Sequence, residues 1–177
     1  MNLQSSDFEL FAVPEQFAQD RAVLDARWKE LQREAHPDKF MAQGTAAQRL
    51  AMQWSVRINE AHQRLKDPLK RATYLCERHG AAVNAENNTA MPSAFLIQQM
   101  VWREELDDAK SIDDLNEIST QASFAKHEAL QQCEHLLDVQ HDYAQAVAQV
   151  RAMMFIDKFV RDVQDRIDEM ELAGKGQ

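Results

Sequence analysis

Glycine and proline are scarce, with four of each in 177 residues. So few turn-formers argue for few turns and long helices, and no runs of Val, Ile and Thr supply strands instead. Cysteine is nearly absent: Cys76 and Cys133 stand apart, without Cys-x-x-Cys spacing or a close ligand cluster. Two isolated thiols argue against a disulfide framework and point to a reducing compartment, the cytoplasm. No stretch approaches the roughly 20 apolar residues of a membrane span. The opening MNLQSSDFELF has neither the basic flank nor the long apolar run of a signal peptide. Basic residues are in deficit, 20 Lys and Arg against 29 Asp and Glu, for a formal charge of −9. That balance argues against a nucleic-acid binder, whose phosphate contacts need clustered positive charge. The phosphate-cradling pattern GxxxxGK(S/T) does not occur either. What is present, 45% hydrophobic and 28% charged residues, is the ordinary composition of a soluble globular protein. The length suits one domain or two small ones.

Helical periodicity organises the first half. Asp7-Phe8-Glu9-Leu10-Phe11 reads as one short amphipathic turn, ended by Pro14. Asp20 is the candidate N-cap of a helix on which Leu24, Trp28, Leu31 and Ala35 recur at spacings of 4, 3 and 4. That stripe is expected in the core, with Lys29 and Arg33 one turn apart on the opposite, outward side. Pro37 biases His36 to extended geometry and cannot continue the helix, which must stop near Ala35. His36-Pro37-Asp38-Lys39-Phe40 then opens a polar loop that closes at Gln43-Gly44-Thr45, with Thr45 a candidate cap. The next helix places Ala47, Leu50, Trp54, Ile58, Ala61 and Leu65 on one side and stops at Asp67-Pro68. A short closing helix, from Leu69 to about His79, turns Leu69, Ala72, Leu75 and Cys76 inward, with Gly80 as its C′ residue. Two long helices with facing stripes make an antiparallel hairpin, and the His36-Pro37-Asp38 turn sits exposed at its tip. His36 is poorly placed as a catalytic base or metal ligand. No second His, Cys or carboxylate lies at ligand spacing on the same element, and Asp38 across a proline is a poor orienter.

The second half starts with a polar, Asn-rich stretch without periodicity, residues 81–91, which reads as a linker. Three helical segments follow, about 92–109, 112–138 and 141–172, with a near capping box at Ser111-Ile112-Asp113-Asp114. Leu115, Ile118, Ala122, Ala125, Ala129, Cys133 and Leu136 form one seam; Val150, Met153, Ile156, Val160, Val163, Ile167 and Met170 form another. Short connections imply an antiparallel three-helix bundle. On its first helix Phe95, Trp102, Leu106 and Ala109 share one side, whereas Ile97, Met100 and Val101 lie on the far side around Glu104 and Asp108. Either that second apolar side is an exposed protein-binding patch, or the helix is sandwiched against the first domain.

The loop HPDKF and the segment INEAHQRLKDPLKRATYL, residues 58–75, resemble the J-domain of DnaJ-family co-chaperones. Adding SDFELFAVP and AFLIQQMVWREELDDA, the likeness over residues 6–172 is to the HscB family of iron–sulfur cluster assembly. The resemblance implies an all-α protein: a J-domain over 1–79, a linker over 80–91 and a client-binding three-helix bundle over 92–177. It implies no enzyme and no cofactor, but a co-chaperone acting between an HscA-type chaperone of the DnaK family and an IscU-type scaffold protein. By that likeness His36, Pro37 and Asp38, with Lys29, Arg33 and Lys39, meet the chaperone. Leu96, Ile97, Met100, Arg103, Glu104, Asp108 and Phe155 match the scaffold-binding surface. Val101 departs from the acidic residue some members carry there. Eukaryotic members carry an N-terminal zinc-binding cysteine pair that this chain lacks, so no metal is implied. The competing expectation is a J-domain adaptor for a different client. A metal- or cluster-binding protein resting on Cys76, Cys133 and six scattered His is a third.

Overall fold

The computed structural model describes residues 4–84 and 91–175. Among them every regular element is helical: α1 (Asp7–Phe11), α2 (Arg21–Glu34), a 3₁₀ turn (Pro37–Gln43), α3 (Thr45–Lys66), α4 (Pro68–Arg78), α5 (Ser93–Asp108), α6 (Ile112–Glu134), a π-helical stretch (His135–Gln140) and α7 (Tyr143–Lys175). The all-α expectation holds. The chain divides into two compact units, Met1–Leu75 and Cys76–Gln177, so the division falls inside α4.

In the first unit α1 opens on a full capping box: Glu9 N–H donates to Ser6 Oγ, and Ser6 N–H donates to the Glu9 carboxylate. Its Asp7 carboxylate is fully buried between Arg57, at 2.6 Å, and Arg64, at 2.7 Å, both on α3. Two cations on one acid make that burial affordable and tie α1 to the hairpin. Asp20 caps α2 by accepting from Ala22 and Val23 N–H. Leu24, Leu31 and Ala35 are buried, as are Ala51, Ile58, Ala61 and Leu65 on α3.

Between α2 and α3 the seam is partly polar. Trp28 Nε1–H and Gln32 Nε2–H both donate to Asn59 Oδ1, at 2.8 and 2.7 Å, and Ser55 Oγ–H donates to the Ala35 carbonyl. His62, buried, bonds Asp25 at 2.7 Å and lies flat against Trp28. The bond to His62, more than the ion pair with Arg21, holds the Asp25 carboxyl below its ordinary pKa. These rungs pair α2 with residues 55–62 of α3, so the first ten residues of α3 project beyond the end of α2 and meet the 3₁₀ turn instead. Two expectations are corrected for that reason: Leu50 is exposed rather than inward, and Trp54 is only half-buried. Separately, Thr45 is not the cap, since Gly44 occupies that position without any side-chain bond. Trp28 is likewise only half-buried, because it serves the polar seam.

In the second unit the end of α4 is closed by Gly80 at φ +79°, with Ala81 N–H returning to the Cys76 carbonyl. Of the expected linker, residues 85–90 lie outside the described residues; Val83 just before them is buried, and its carbonyl accepts from the buried Arg151 of α7. Ser111 and Asp114 complete the expected capping box on α6. The N–H groups of Lys110 and Ser111 and the Ser111 hydroxyl hold the Asp114 carboxyl low, so its cap contribution is present above the ordinary carboxylate pKa and fades as pH falls through the lowered one.

The two seams pack against each other, with one correction on α7: Phe159, absent from the expected seam, is fully buried, and Val160 is only half-buried. Leu115, Ile118 and Ala122 meet Ile156, Phe159, Val163 and Ile167, with Trp102 of α5 and its C-cap Ala109 completing the core. Lys126 pairs with Asp157 across the antiparallel α6–α7 pair, whereas Phe95–Phe155, Trp102–Phe159 and Arg103–Asp162 ascend together, so α5 runs parallel to α7. Cys76 and Cys133 are free and buried, and burial pushes their thiols to about 11 and about 12.

Candidate functional site

Two exposed sites stand out, one on each unit. The first is the turn after α2. Ala35, the C-cap, is anchored by its N–H to the Leu31 carbonyl and is buried, which fixes where the chain leaves the helix. His36 adopts φ −64°, ψ 126°, the extended geometry its following proline requires. Pro37 starts the 3₁₀ turn with its preset φ and no N–H to satisfy. Lys39 N–H closes the turn on the His36 carbonyl at 3.0 Å. Asp38 N–H donates to His36 Nδ1 at 3.3 Å, and the Asp38 carboxylate is 3.6 Å from the same nitrogen.

That local bracing presets the pair while leaving the side chains 57% and 76% exposed. Lys29, Arg33 and Lys39 are exposed as well, Arg33 in the last turn of α2. The tip therefore presents a braced turn, an imidazole and a carboxylate, with cations on the approaching helix and in the turn itself. Met41, 65% exposed within the 3₁₀ turn, adds an apolar element that the sequence reading passed over as loop. Among the described residues no group of three His, Cys, Asp or Glu is disposed to hold a metal ion.

The second site is the outer face of α5. Phe95, Trp102, Leu106 and Ala109 turn into the bundle. Leu96, Ile97, Met100 and Val101 stay exposed, Ile97 at 66% and Met100 at 67%. Glu104 and Asp108 are exposed beside them. At 100° per residue these six occupy one broad face opposite the core side. The result is a contiguous apolar patch exposed to water on one helix face and bordered by carboxylates, the kind of surface that marks interaction sites.

Two of the matched residues are placed differently from that set. Phe155 is only half-exposed, edge-on to Phe95 at 5.8 Å and stacked on Phe159 at 6.2 Å. Arg103 is ion-paired to Asp162 at 3.1 Å, with its guanidinium over Phe155 and Phe159. They border the face and are built into the bundle as well. Asp162 itself was not singled out from the sequence. Its one signal there is a position three residues after Phe159, one helical turn on.

Comparison with known proteins converges. Residues 91–164 match the protein-family model described as the HSCB C-terminal oligomerisation domain. The chain is 45% identical over 174 residues to the co-chaperone protein HscB homolog of Burkholderia multivorans, covering 97% of this chain and 99% of that one. The homolog of Burkholderia thailandensis is 44% identical over the same length. Among solved structures, chaperone HscB from Vibrio cholerae superposes with a TM-score of 0.78 at 32% identity, over 93% of this chain and 99% of that chain. Human co-chaperone protein HscB shares the fold, with a TM-score of 0.83 at 24% identity over 98% of this chain and 85% of that one.

Proposed function

The chain belongs to the HscB family of co-chaperones, and from that premise we propose that it presents an IscU-type iron–sulfur scaffold protein to a DnaK-family chaperone of the HscA type. In this reading α5 captures the scaffold with Leu96, Ile97, Met100, Glu104 and Asp108, bordered by Arg103 and Phe155. The His36-Pro37-Asp38 turn docks on the chaperone, with Lys29, Arg33 and Lys39 supplying charge complementarity, and promotes ATP hydrolysis there. The ATP and the metal belong to the partners. Hydrolysis closes the chaperone on the delivered scaffold and favours maturation of iron–sulfur proteins. The proposed compartment is the cytoplasm, in keeping with two free, buried thiols; among the described residues no helix is long and apolar enough to cross a membrane.

The observation that carries the reading is the placement of two unlike exposed sites on separate compact units: a braced charged turn on one, an apolar helix face on the other. Titrating an IscU-type scaffold into the full chain tests the client half. Saturable one-to-one binding with a negative heat-capacity change, the mark of apolar burial, is expected. Absence of binding at tens of micromolar would remove the scaffold from the reading and leave a J-type adaptor for another client.

A further inference from the structure

Arg103 flanks the exposed α5 face, yet its guanidinium is engaged by its own bundle. Its Nη1 lies 3.1 Å from Asp162 Oδ2, and its Cζ lies 5.6 Å from the Phe155 ring centre and 5.5 Å from that of Phe159. Those two rings are near-parallel, and Phe159 is stacked in turn on Trp102, 5.5 Å away and fully buried. The cation thus lies equally close to both rings, beside an aromatic stack that begins in the core with Trp102 and includes the half-exposed Phe155. A planar guanidinium stacks on such rings as an ammonium cannot, and it is attracted to their faces. Neither attraction fixes its rotation about the ring normal. The carboxylate on the next turn of α7 does that.

We propose that Asp162 is a positioning residue for the scaffold-binding surface. Its carboxylate holds the Arg103 guanidinium over Phe155 and Phe159. It thereby sets, before any partner arrives, where the positive charge stands beside Glu104 and Asp108 and how much of Phe155 is presented. This inference rests on the proposed function and adds to it a residue that makes no contact with the partner itself. A long, rotamer-rich side chain left free would have to be ordered on binding, at a loss in affinity of roughly three- to tenfold.

Scaffold titrations of five full-length chains, wild type, Asp162→Asn, Asp162→Glu, Arg103→Ala and the Asp162→Asn/Arg103→Ala double variant, test it, together with the proton spectrum of the free chains. Asp162→Asn is expected to weaken binding three- to tenfold while Asp162→Glu restores it to within twofold. In the Arg103→Ala background Asp162→Asn should cost nothing further, since the carboxylate then has no cation to position. In the free wild type the Arg103 Cδ protons should be shifted upfield by the rings, and that shift should vanish in Asp162→Asn. Unaltered affinity or an unaltered Arg103 shift in Asp162→Asn overturns the proposal. So does an equal loss in the Arg103→Ala background, which would mark a merely structural role on α7. If the wild type itself fails to bind the scaffold, the client assignment falls, and the shift measured on the free chain still decides whether Asp162 sets Arg103.

Discussion

Replacing His36 by glutamine is expected to abolish stimulation of the chaperone ATPase, returning turnover to the basal rate, while the chain stays folded. The expectation follows from how the turn is built. His36 is exposed, its backbone conformation is imposed by Pro37 and by the anchored Ala35, and its ring is bonded to Asp38 within the same turn. None of those restraints needs an imidazole, so folding stability should change by no more than about 0.5 kcal/mol, as for other surface substitutions. A glutamine amide of similar reach can still accept the Asp38 N–H, so the turn survives. What is lost is the imidazole presented to the partner. Steady-state ATPase assays of an HscA-type chaperone, with thermal unfolding of the variant alongside, check both halves. Retained stimulation by a folded His36→Gln chain would remove the turn from the mechanism.

Alanine at Leu96 and Met100 together should weaken scaffold binding by roughly a hundredfold, about 2.7 kcal/mol, which is the scale of two central apolar contacts. Leu96 is 43% exposed and Met100 is 67% exposed, so truncation removes little from the folded core. Basal stimulation of the chaperone, which runs through the other unit in this reading, should persist. Phe155→Ala is a poorer probe than its exposed edge suggests. Its ring packs on Phe95 and Phe159, so the same change opens the aromatic stack and is expected to destabilise the bundle as well as the contact. Calorimetric titration checks the affinity, and undiminished binding by the Leu96/Met100 pair would displace the client site from α5.

Much of the fold was legible because helical period and capping are local. Asp20, Ser111 with Asp114, and Gly80 end or start helices through bonds to residues within a few positions, and the α6 and α7 seams repeat along their own helices. Leu50 and Trp54 were misplaced because periodicity reports which side of α3 a residue is on, not whether α2 extends far enough to cover it. The π-helical stretch His135–Gln140 carries no pattern that sets it apart from a continued α6. On the second site, the two-faced apolar pattern of α5 left exposure and sandwiching both open, because periodicity reports which side of a helix a residue is on and not what covers it. The partnership of Arg103 with Asp162 joins residues 59 apart on different helices, which no local pattern encodes.

The central claim is that one chain joins two tasks, client capture on α5 and chaperone activation at the His36-Pro37-Asp38 turn. The most direct measurement is the single-turnover ATPase rate of an HscA-type chaperone with this chain alone, with the scaffold alone, and with both. The rate with both should exceed the product of the separate stimulations, and Leu96→Ala with Met100→Ala should reduce it to that product without lowering the effect of the chain alone. A joint rate no greater than that product for the wild type, at concentrations that saturate each pair, would contradict delivery of the scaffold by this protein.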